Sequence, residues 1–147
     1  MQVFNGKVAV ITGAASGIGL AIAERCANQK VKIVLADIDS RYLQRAEKTF
    51  KSRGVETLSV LANVAKEQDI RNLANKTLDY FGEIHILFNN AGVCTGSLIL
   101  NSTVADWKWI IDVNLWSMIY GVNIFVPIML KQNNDCYIVN TASMARG

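Results

Sequence analysis

The sequence predicts an α/β fold built on a doubly wound parallel sheet, and three observations lead to this prediction. Short apolar, β-branched runs alternate with segments in which apolar residues recur at helical spacing. A glycine-rich turn, Thr12 to Gly19 (TGAASGIG), separates the first run from the first helical segment. The chain has 147 residues, of which 51% are hydrophobic and only one is proline. We therefore expect one compact domain over residues 1–147.

The first three elements form a strand, helix, strand unit. Lys7 to Thr12 (KVAVIT) and Lys32 to Asp37 (KIVLAD) are continuous apolar runs, a pattern typical of parallel strands that are covered on both faces. Between them, residues 18–29 place Ile18 and Cys26 on one helical face. The tight glycine turn thus joins the first strand to the first helix.

The same alternation continues to the end of the sequence. Because parallel strands require right-handed crossovers, we expect a Rossmann-type sheet with strand order 3-2-1-4-5. The remaining predicted elements are a helix capped by Asp39 that runs to about Arg53, a strand at 57–61, a helix at 66–81, a strand at 84–88, a long apolar helix at 104–131 and a strand at 136–141.

The glycine turn has the features of a dinucleotide phosphate site. Gly13 would permit the tight bend, Gly17 would let the backbone approach a phosphate, and Gly19 would let the helix pack close to the strand. The N–H groups at the helix N-terminus would then face the pyrophosphate. A glycine cluster alone also fits any tight turn, but this one follows the first strand and opens a helix.

Asp37 ends the second strand, where an acidic residue binds the adenosine ribose hydroxyls in dinucleotide folds. Its carboxylate would repel a 2′-phosphate, and the turn itself contains no Arg or Lys to offset that repulsion. The sequence therefore favours NAD over NADP. The alternative is that Asp37 is a simple turn residue at the end of a strand.

Four motifs in order carry a family resemblance. The glycine spacing TGxxxGxG, the NNAG segment at 89–92, Asn114 in DVNLW and Ser143 in VNTASMA together resemble the classical short-chain dehydrogenase/reductase family. The resemblance runs from about Lys7 to the last residue. It implies hydride transfer between NAD and a carbonyl or alcohol substrate.

The resemblance also implies which residues contact the cofactor. Ser16, Gly17 and Ile18 would line the pyrophosphate. Asn90, Ala91 and Gly92 would form the turn beside the adenosine half, with a plain structural turn as the alternative. Asn63 and Val64 stand where the family usually has Asp-Val, whose acid accepts a hydrogen bond from the adenine amino group. An amide oxygen still accepts such a bond, but without the charge that strengthens it.

Two candidate catalytic residues follow from the same motifs. Ser143 would orient the substrate oxygen, and Asn114 would support a proton-relay water. Each also has a simpler explanation, Ser143 as a residue that ends a strand and Asn114 as a polar group that kinks a helix. His85 is a lone histidine, which we expect to be structural.

The family's catalytic Tyr-x-x-x-Lys element has no counterpart in this sequence. None of the four tyrosines, at 42, 80, 120 and 137, is followed by lysine four residues later. We therefore expect the chain to be the N-terminal, cofactor-binding portion of a longer enzyme, truncated before the final strands and inactive alone. The alternative is a non-catalytic NAD-binding module or pseudoenzyme.

Composition limits the other functional classes. The net charge of +3 with scattered basic residues argues against nucleic-acid binding, and three widely spaced cysteines indicate neither disulfides nor a metal site. We expect a cytoplasmic protein, because no apolar leader follows Met1. The apolar segment at 110–130 contains Asp112, Asn114 and Asn123, which favours a buried helix over a membrane span. We expect homo-oligomerisation through the helix at 104–131.

Overall fold

The computed structural model describes residues 3 to 144. Strands and helices alternate along this part of the chain. In order they are β1 (Val8–Thr12), α1 (Gly17–Asn28), β2 (Lys32–Asp37), α2 (Ser40–Ser52), β3 (Thr57–Leu61), α3 (Glu67–Phe81), β4 (Ile86–Asn89), a short 3-10 turn (Ile99–Asn101), α4 (Val104–Ile111), a π-helical turn (Asp112–Trp116), α5 (Ser117–Lys131) and β5 (Tyr137–Asn140).

The strands form one five-stranded parallel sheet in the order β3-β2-β1-β4-β5. Val10 in the central strand pairs with Val34 of β2 on one side and with Leu87 of β4 on the other. The predicted fold class and strand order are therefore confirmed. The chain reverses its direction of winding between β1 and β4, so the crevice of the sheet lies at the ends of these two strands.

Both faces of the sheet are covered by helices, as the continuous apolar strands predict. Val8 and Val10 belong to a core cluster that α3 and α5 complete, including Leu73 and Phe125. The alternate residues of β1, such as Ile11, belong to a second cluster beneath α1 and α2. Successive strand residues point to opposite faces, which explains why every residue of β1 is buried.

The sequence correctly predicts where α2 begins. The Asp39 carboxylate accepts hydrogen bonds from the backbone N–H groups of Arg41 and Tyr42, at 3.0 and 3.1 Å. These bonds satisfy two donors that the first turn of a helix otherwise leaves unpaired. The predicted apolar stripe of this helix, which includes Leu43 and Phe50, is buried. The predicted cap is confirmed.

The fourth strand begins later than predicted, at Ile86 instead of residue 84. The side-chain amide of Gln132 accepts a hydrogen bond from the Ile84 N–H at 2.9 Å and donates one to the Ile84 carbonyl at 2.7 Å. The carboxamide thus replaces a neighbouring strand at this position. His85 is buried, and its Nδ1 accepts a hydrogen bond from the Val8 N–H at 3.1 Å, which gives it a structural role.

The predicted long helix is three connected segments, with the π-helical turn in the middle and Pro127 inside α5. Its 28 residues, Val104–Lys131, are long and apolar enough to cross a membrane, a criterion that the core helices of soluble proteins also meet. Here Phe125 is fully buried and Met129 is nearly so, both in the core cluster shared with α3. This packing is that of a helix which covers a sheet.

Candidate functional site

A cavity of about 560 Å³ opens at the carboxyl ends of the strands. Residues at the end of each of the five strands or directly after it line the cavity, among them Gly13, Asp37, Ala62, Asn90 and Thr141. Its size is typical of small-molecule and cofactor sites. Its position beside β1 and β4 is the point where ligands bind in open α/β sheets.

All eleven residues that the sequence predicts for cofactor binding line this cavity. They come from four separate segments of the chain, so only the fold brings them together. They are Gly13, Ser16, Gly17, Ile18, Gly19, Asp37, Asn63, Val64, Asn90, Ala91 and Gly92.

The glycine turn is compact because neighbouring backbone leaves no room for side chains. Gly13 has a φ of +64°, and a Cβ added there would lie 3.0 Å from the Cα of Ala91. A Cβ on Gly19 would overlap the Gly13 carbonyl, so α1 packs directly against the turn that precedes it. These contacts match the predicted bend at Gly13 and the close packing at Gly19.

The N-terminus of α1 opens into the cavity. Ser16 is the N-cap residue, but its side chain makes no capping hydrogen bond, and the first turn contains no acidic residue. Gly17, Ile18 and Gly19 line the cavity at this point. Because unpaired N–H groups and the helix dipole both favour negative charge, this corner suits a phosphate group.

Thr12 joins the two turns that meet at the cavity. Its hydroxyl oxygen accepts hydrogen bonds from the N–H groups of Asn90 and Ala91, both at 3.0 Å, and the hydroxyl donates to the Phe88 carbonyl at 3.3 Å. The Asn90 side chain donates to the Thr12 carbonyl and accepts from the Thr141 hydroxyl. Sequence reasoning placed Thr12 in the glycine turn but missed this role.

The Asp37 carboxylate is already held by backbone donors. One oxygen accepts from the Ala15 N–H at 3.0 Å, and the other accepts from the Asp39 N–H at 3.1 Å. Asp37 therefore organises the glycine turn and the entry to α2, as the turn-residue alternative requires. A carboxylate has about four acceptor positions, so it keeps capacity for further donors.

Asn63 lies in the loop after β3 and is also fixed locally. Its backbone N–H donates to the Asp69 carboxylate at 2.8 Å, and its side-chain oxygen accepts from the Ala65 N–H at 3.0 Å. Val64, the next residue, is buried in the core cluster below α3 and α5. The loop therefore presents a fixed edge to the cavity.

The two candidate catalytic residues are not among the residues that line the cavity. The Asn114 amide oxygen accepts from the Val93 N–H at 2.7 Å, and its nitrogen donates to the Val93 carbonyl at 2.8 Å. It lies in the π-helical turn, a feature that often occurs at functional sites. Ser143 is exposed, three residues after β5.

Sequence reasoning missed several cavity residues, of which Trp109 and Ile38 are the largest. Trp109 lies one helical turn before Val113, so the i, i+4 spacing was a signal that both residues share a face. Nothing in the sequence, however, gives the position at which this helix crosses the sheet. Within residues 3 to 144, no group of three His, Cys, Asp or Glu side chains could hold a metal ion.

Comparison with known proteins agrees with this architecture. The family model for short chain dehydrogenase matches residues 7–147. The chain is 37% identical to the CLA biosynthesis dehydrogenase/reductase of Lactiplantibacillus plantarum, over 99% of this chain and 51% of that protein. It is also 37% identical to the cyclohexanol dehydrogenase of an Acinetobacter species, over 97% of this chain and 57% of that protein.

A solved structure gives the same result. A short chain dehydrogenase/reductase from Burkholderia phymatum, in complex with NAD, superposes with a TM-score of 0.95 and 46% identity, over 97% of this chain and 51% of that chain. Fold and cavity thus define a Rossmann-type α/β protein with an open cavity at the switch point of its sheet. The chain belongs to the short-chain dehydrogenase/reductase family, and it spans about half the length of the curated relatives it matches.

Proposed function

We propose that this chain is the cofactor-binding part of an oxidoreductase that transfers a hydride between NAD(H) and a small carbonyl or alcohol substrate. The observation that carries the proposal is the cavity at the switch point of the sheet, which is lined both by the N-terminus of α1 and by Asp37. The NAD complex of the Burkholderia phymatum structure and the similarity to a cyclohexanol dehydrogenase support the reaction class. The nicotinamide ring would supply or accept the hydride.

Different residues of the cavity bind different parts of the cofactor. Ser16, Gly17 and Ile18 bind the pyrophosphate through the N-terminus of α1. Asn90, Ala91 and Gly92 support the adenosine half, and Asn63 uses its amide group at the adenine edge. The Thr12 hydroxyl fixes the distance between these two turns.

Asp37 selects NAD over NADP. Its two backbone hydrogen bonds hold the carboxylate at the end of β2, where it accepts from ribose hydroxyls and repels a 2′-phosphate. This preference can be measured by titrating the chain with NADH and with NADPH and following the nicotinamide fluorescence. We expect NADH to bind more tightly, by roughly fivefold or more, since like-charge contacts at close range cost at least about 1 kcal/mol.

Replacement of Asp37 tests the repulsion directly. Asp37→Asn removes the charge but keeps one acceptor for the backbone, and Asp37→Ala removes both. We expect the dissociation constants for NADH and NADPH to be closer to each other in either variant than in the wild type. Circular dichroism is the control for folding. An unchanged ratio in a folded variant would refute the repulsion, and a folded wild-type chain that binds neither nucleotide would refute the proposed function.

Ser143 and Asn114 take the catalytic roles in the complete enzyme. Each polar atom of the Asn114 amide has one bond to Val93, so its oxygen keeps a lone pair and its nitrogen keeps a proton for a water molecule. The Ser143 hydroxyl is exposed and orients the substrate oxygen. General acid and base groups contribute about 10²- to 10⁴-fold to such reactions, so a chain without the Tyr-x-x-x-Lys element would show little turnover.

The competing proposal is a non-catalytic NAD-binding module. Both proposals need the same cavity, and they differ only in turnover. Hydride transfer by the full-length native protein, followed at the absorbance of NADH with small ketones, supports the enzyme. NADH binding without hydride transfer to a broad set of ketones, and without reduction of NAD⁺ by the corresponding alcohols, supports the module.

We also propose that the protein acts in the cytoplasm.

We further propose that the chain associates with copies of itself through the helical segment 104–131. Several large apolar side chains of this segment are exposed, among them Trp107, Leu115, Trp116 and Leu130. Exposed apolar patches of this kind mark association surfaces.

A further inference from the structure

Trp109 forms one wall of the cavity, and the roles proposed for the glycine turn and Asp37 give this side chain no function. It lies in α4, one turn before Val113, which is buried in the same core cluster as Ala62 and Val64. Val113 therefore fixes the helix against the loop that follows β3. Trp109 extends from the same face of the helix into the cavity, where 46% of its surface is exposed.

The order of the strands decides which part of a dinucleotide would lie at this wall. The phosphate corner follows β1, and Asp37 ends β2. The next strand outward is β3, where Leu61 pairs with Asp37 and the Ala62 N–H donates to the Asp37 carbonyl at 2.9 Å. A ribose held by Asp37 therefore directs its base toward residues 62–65, the loop whose Ala62 and Val64 belong to the same core cluster as Val113.

The chemistry of the wall suits a flat aromatic group. Ala62, Val64, Ala65 and Val113 line this end of the cavity with apolar surface, and the Asn63 amide supplies polar atoms at the edge. An indole ring offers a large, rigid π face, and stacking on an aromatic side chain is favourable for any nucleobase. A base in this position would cover indole surface that now faces water.

We propose that Trp109 stacks on the adenine base of the bound dinucleotide and positions the adenosine half of the cofactor. The proposal rests on the proposed function, because it takes NAD as the ligand of the cavity. Trp109 is then a residue that sets affinity for the base, while Asp37 sets the preference at the ribose. The neighbouring Trp107 is equally exposed at 47%, but it does not line the cavity.

Titration of the chain by calorimetry separates these roles. NADH and ADP-ribose both carry the adenine base, and each is titrated into the wild type, Trp109→Ala, Trp109→Phe and the matched control Trp107→Ala. We expect Trp109→Ala to weaken both ligands by roughly ten- to a hundredfold, as alanine substitution of a stacking residue does. Trp109→Phe should recover most of the affinity, and Trp107→Ala should leave it unchanged.

Fluorescence gives a second measurement, in which Trp109 itself reports on the bound ligand. The chain has three tryptophans, so Trp107→Phe with Trp116→Phe leaves Trp109 alone, and Trp109→Phe with Trp116→Phe leaves Trp107 alone. ADP-ribose, which does not absorb the indole emission, should quench the first variant and not the second. Unchanged emission from Trp109 at a saturating ligand concentration would overturn the stacking.

The outcomes distinguish this inference from the proposed function. If the wild type binds NADH and ADP-ribose while Trp109→Ala binds them equally well, the stacking is wrong and the proposed function stands. If Trp107→Ala loses as much affinity as Trp109→Ala, the effect is general to the helix and the stacking is also wrong. If the folded wild type binds neither ligand, the proposed function fails, and this inference fails with it.

Discussion

Thr12 contributes one hydroxyl group to the site, and three backbone groups use it. The hydroxyl accepts from two N–H groups of the NNAG segment and donates to the Phe88 carbonyl, so it connects the ends of β1 and β4. Thr12 is 4% exposed, and water therefore has little access to replace these bonds. Thr12 therefore supports the cavity indirectly, because it positions the backbone of the NNAG segment that lines it.

Replacement of this hydroxyl should be costly. Thr12→Val keeps the shape of the side chain but leaves two N–H donors without an acceptor, which we expect to destabilise the fold by about 2 to 4 kcal/mol. Denaturant unfolding measures this difference. Thr12→Ser is the matched control because it keeps the hydroxyl, and a Val variant as stable as the Ser variant would contradict the role of the hydrogen bonds.

His85 makes stability depend on pH. Burial, together with the positive charge of Lys7, holds the pKa of His85 below its ordinary value of 6.5, although Glu83 opposes the shift. The unfolded chain therefore takes up the proton first. Stability should be constant above about pH 7 and should decline as the pH falls below 6.5 toward the lower pKa of the folded state.

The His85→Asn variant isolates this effect. An asparagine places an oxygen where Nδ1 accepts from Val8, but it does not titrate. We expect the decline in unfolding free energy between pH 7 and pH 5 to be smaller in the variant than in the wild type. Equal slopes in this range would assign the decline to other groups.

At the level of elements, periodicity and capping residues predicted nearly all strands and helices. Asp39 and the stripe of Leu43 and Phe50 act within one turn, so the sequence contains their signal. The start of β4 was wrong because Gln132, 48 residues away, satisfies the backbone of Ile84. The π-helical turn was missed for a similar reason, since Asn114 bonds to Val93, 21 residues earlier.

Helix α5 can approach the sheet closely only because residue 121 is glycine. A Cβ at Gly121 would overlap the side-chain amide of Asn89 in β4, and that amide also donates to Asn140 of β5 at 2.9 Å. Gly to Ala in a helix normally stabilises by up to about 1 kcal/mol. We expect Gly121→Ala to destabilise instead, by about 1 to 3 kcal/mol, because the packed interface cannot expand.

A double-mutant cycle tests the cause of this change. In an Asn89→Ala background the space beside residue 121 is open, so the added methyl group should become neutral or stabilising. Chemical denaturation of the four proteins gives the coupling energy. A penalty of the same size in both backgrounds would show that the amide is not the obstacle.

At the level of the whole molecule, the motif residues of the cavity were easier to predict than the other side chains that line it. The motifs that are predicted to bind a cofactor are local, and the fold gathers all eleven of the predicted residues around one cavity. The position of Trp109 depends on how α4 crosses the ends of the strands, a geometry set by the burial of Val113 in the core cluster between the sheet, α3 and α5. Periodicity predicts that Trp109 and Val113 lie on one face of the helix, but it does not predict which part of the sheet that face packs against.

The exposed apolar surface of the segment 104–131 should make the chain associate. We expect its average mass by light scattering to rise with concentration, and Leu115→Glu to reduce this rise because it places a charge among the exposed apolar side chains. Tyr42→Glu, an exposed aromatic in α2, is the control. A mass that stays monomeric at every concentration, or an equal effect of both variants, would refute association through this segment.

The cavity takes at least one residue from the end of every strand, so a bound cofactor would touch all the loops that must come apart on unfolding. Folding and occupancy are therefore thermodynamically linked. A cofactor present at a hundred times its dissociation constant adds about 2.7 kcal/mol to the unfolding free energy. In a cell, the lifetime of this chain against proteases would then follow the supply of its nucleotide.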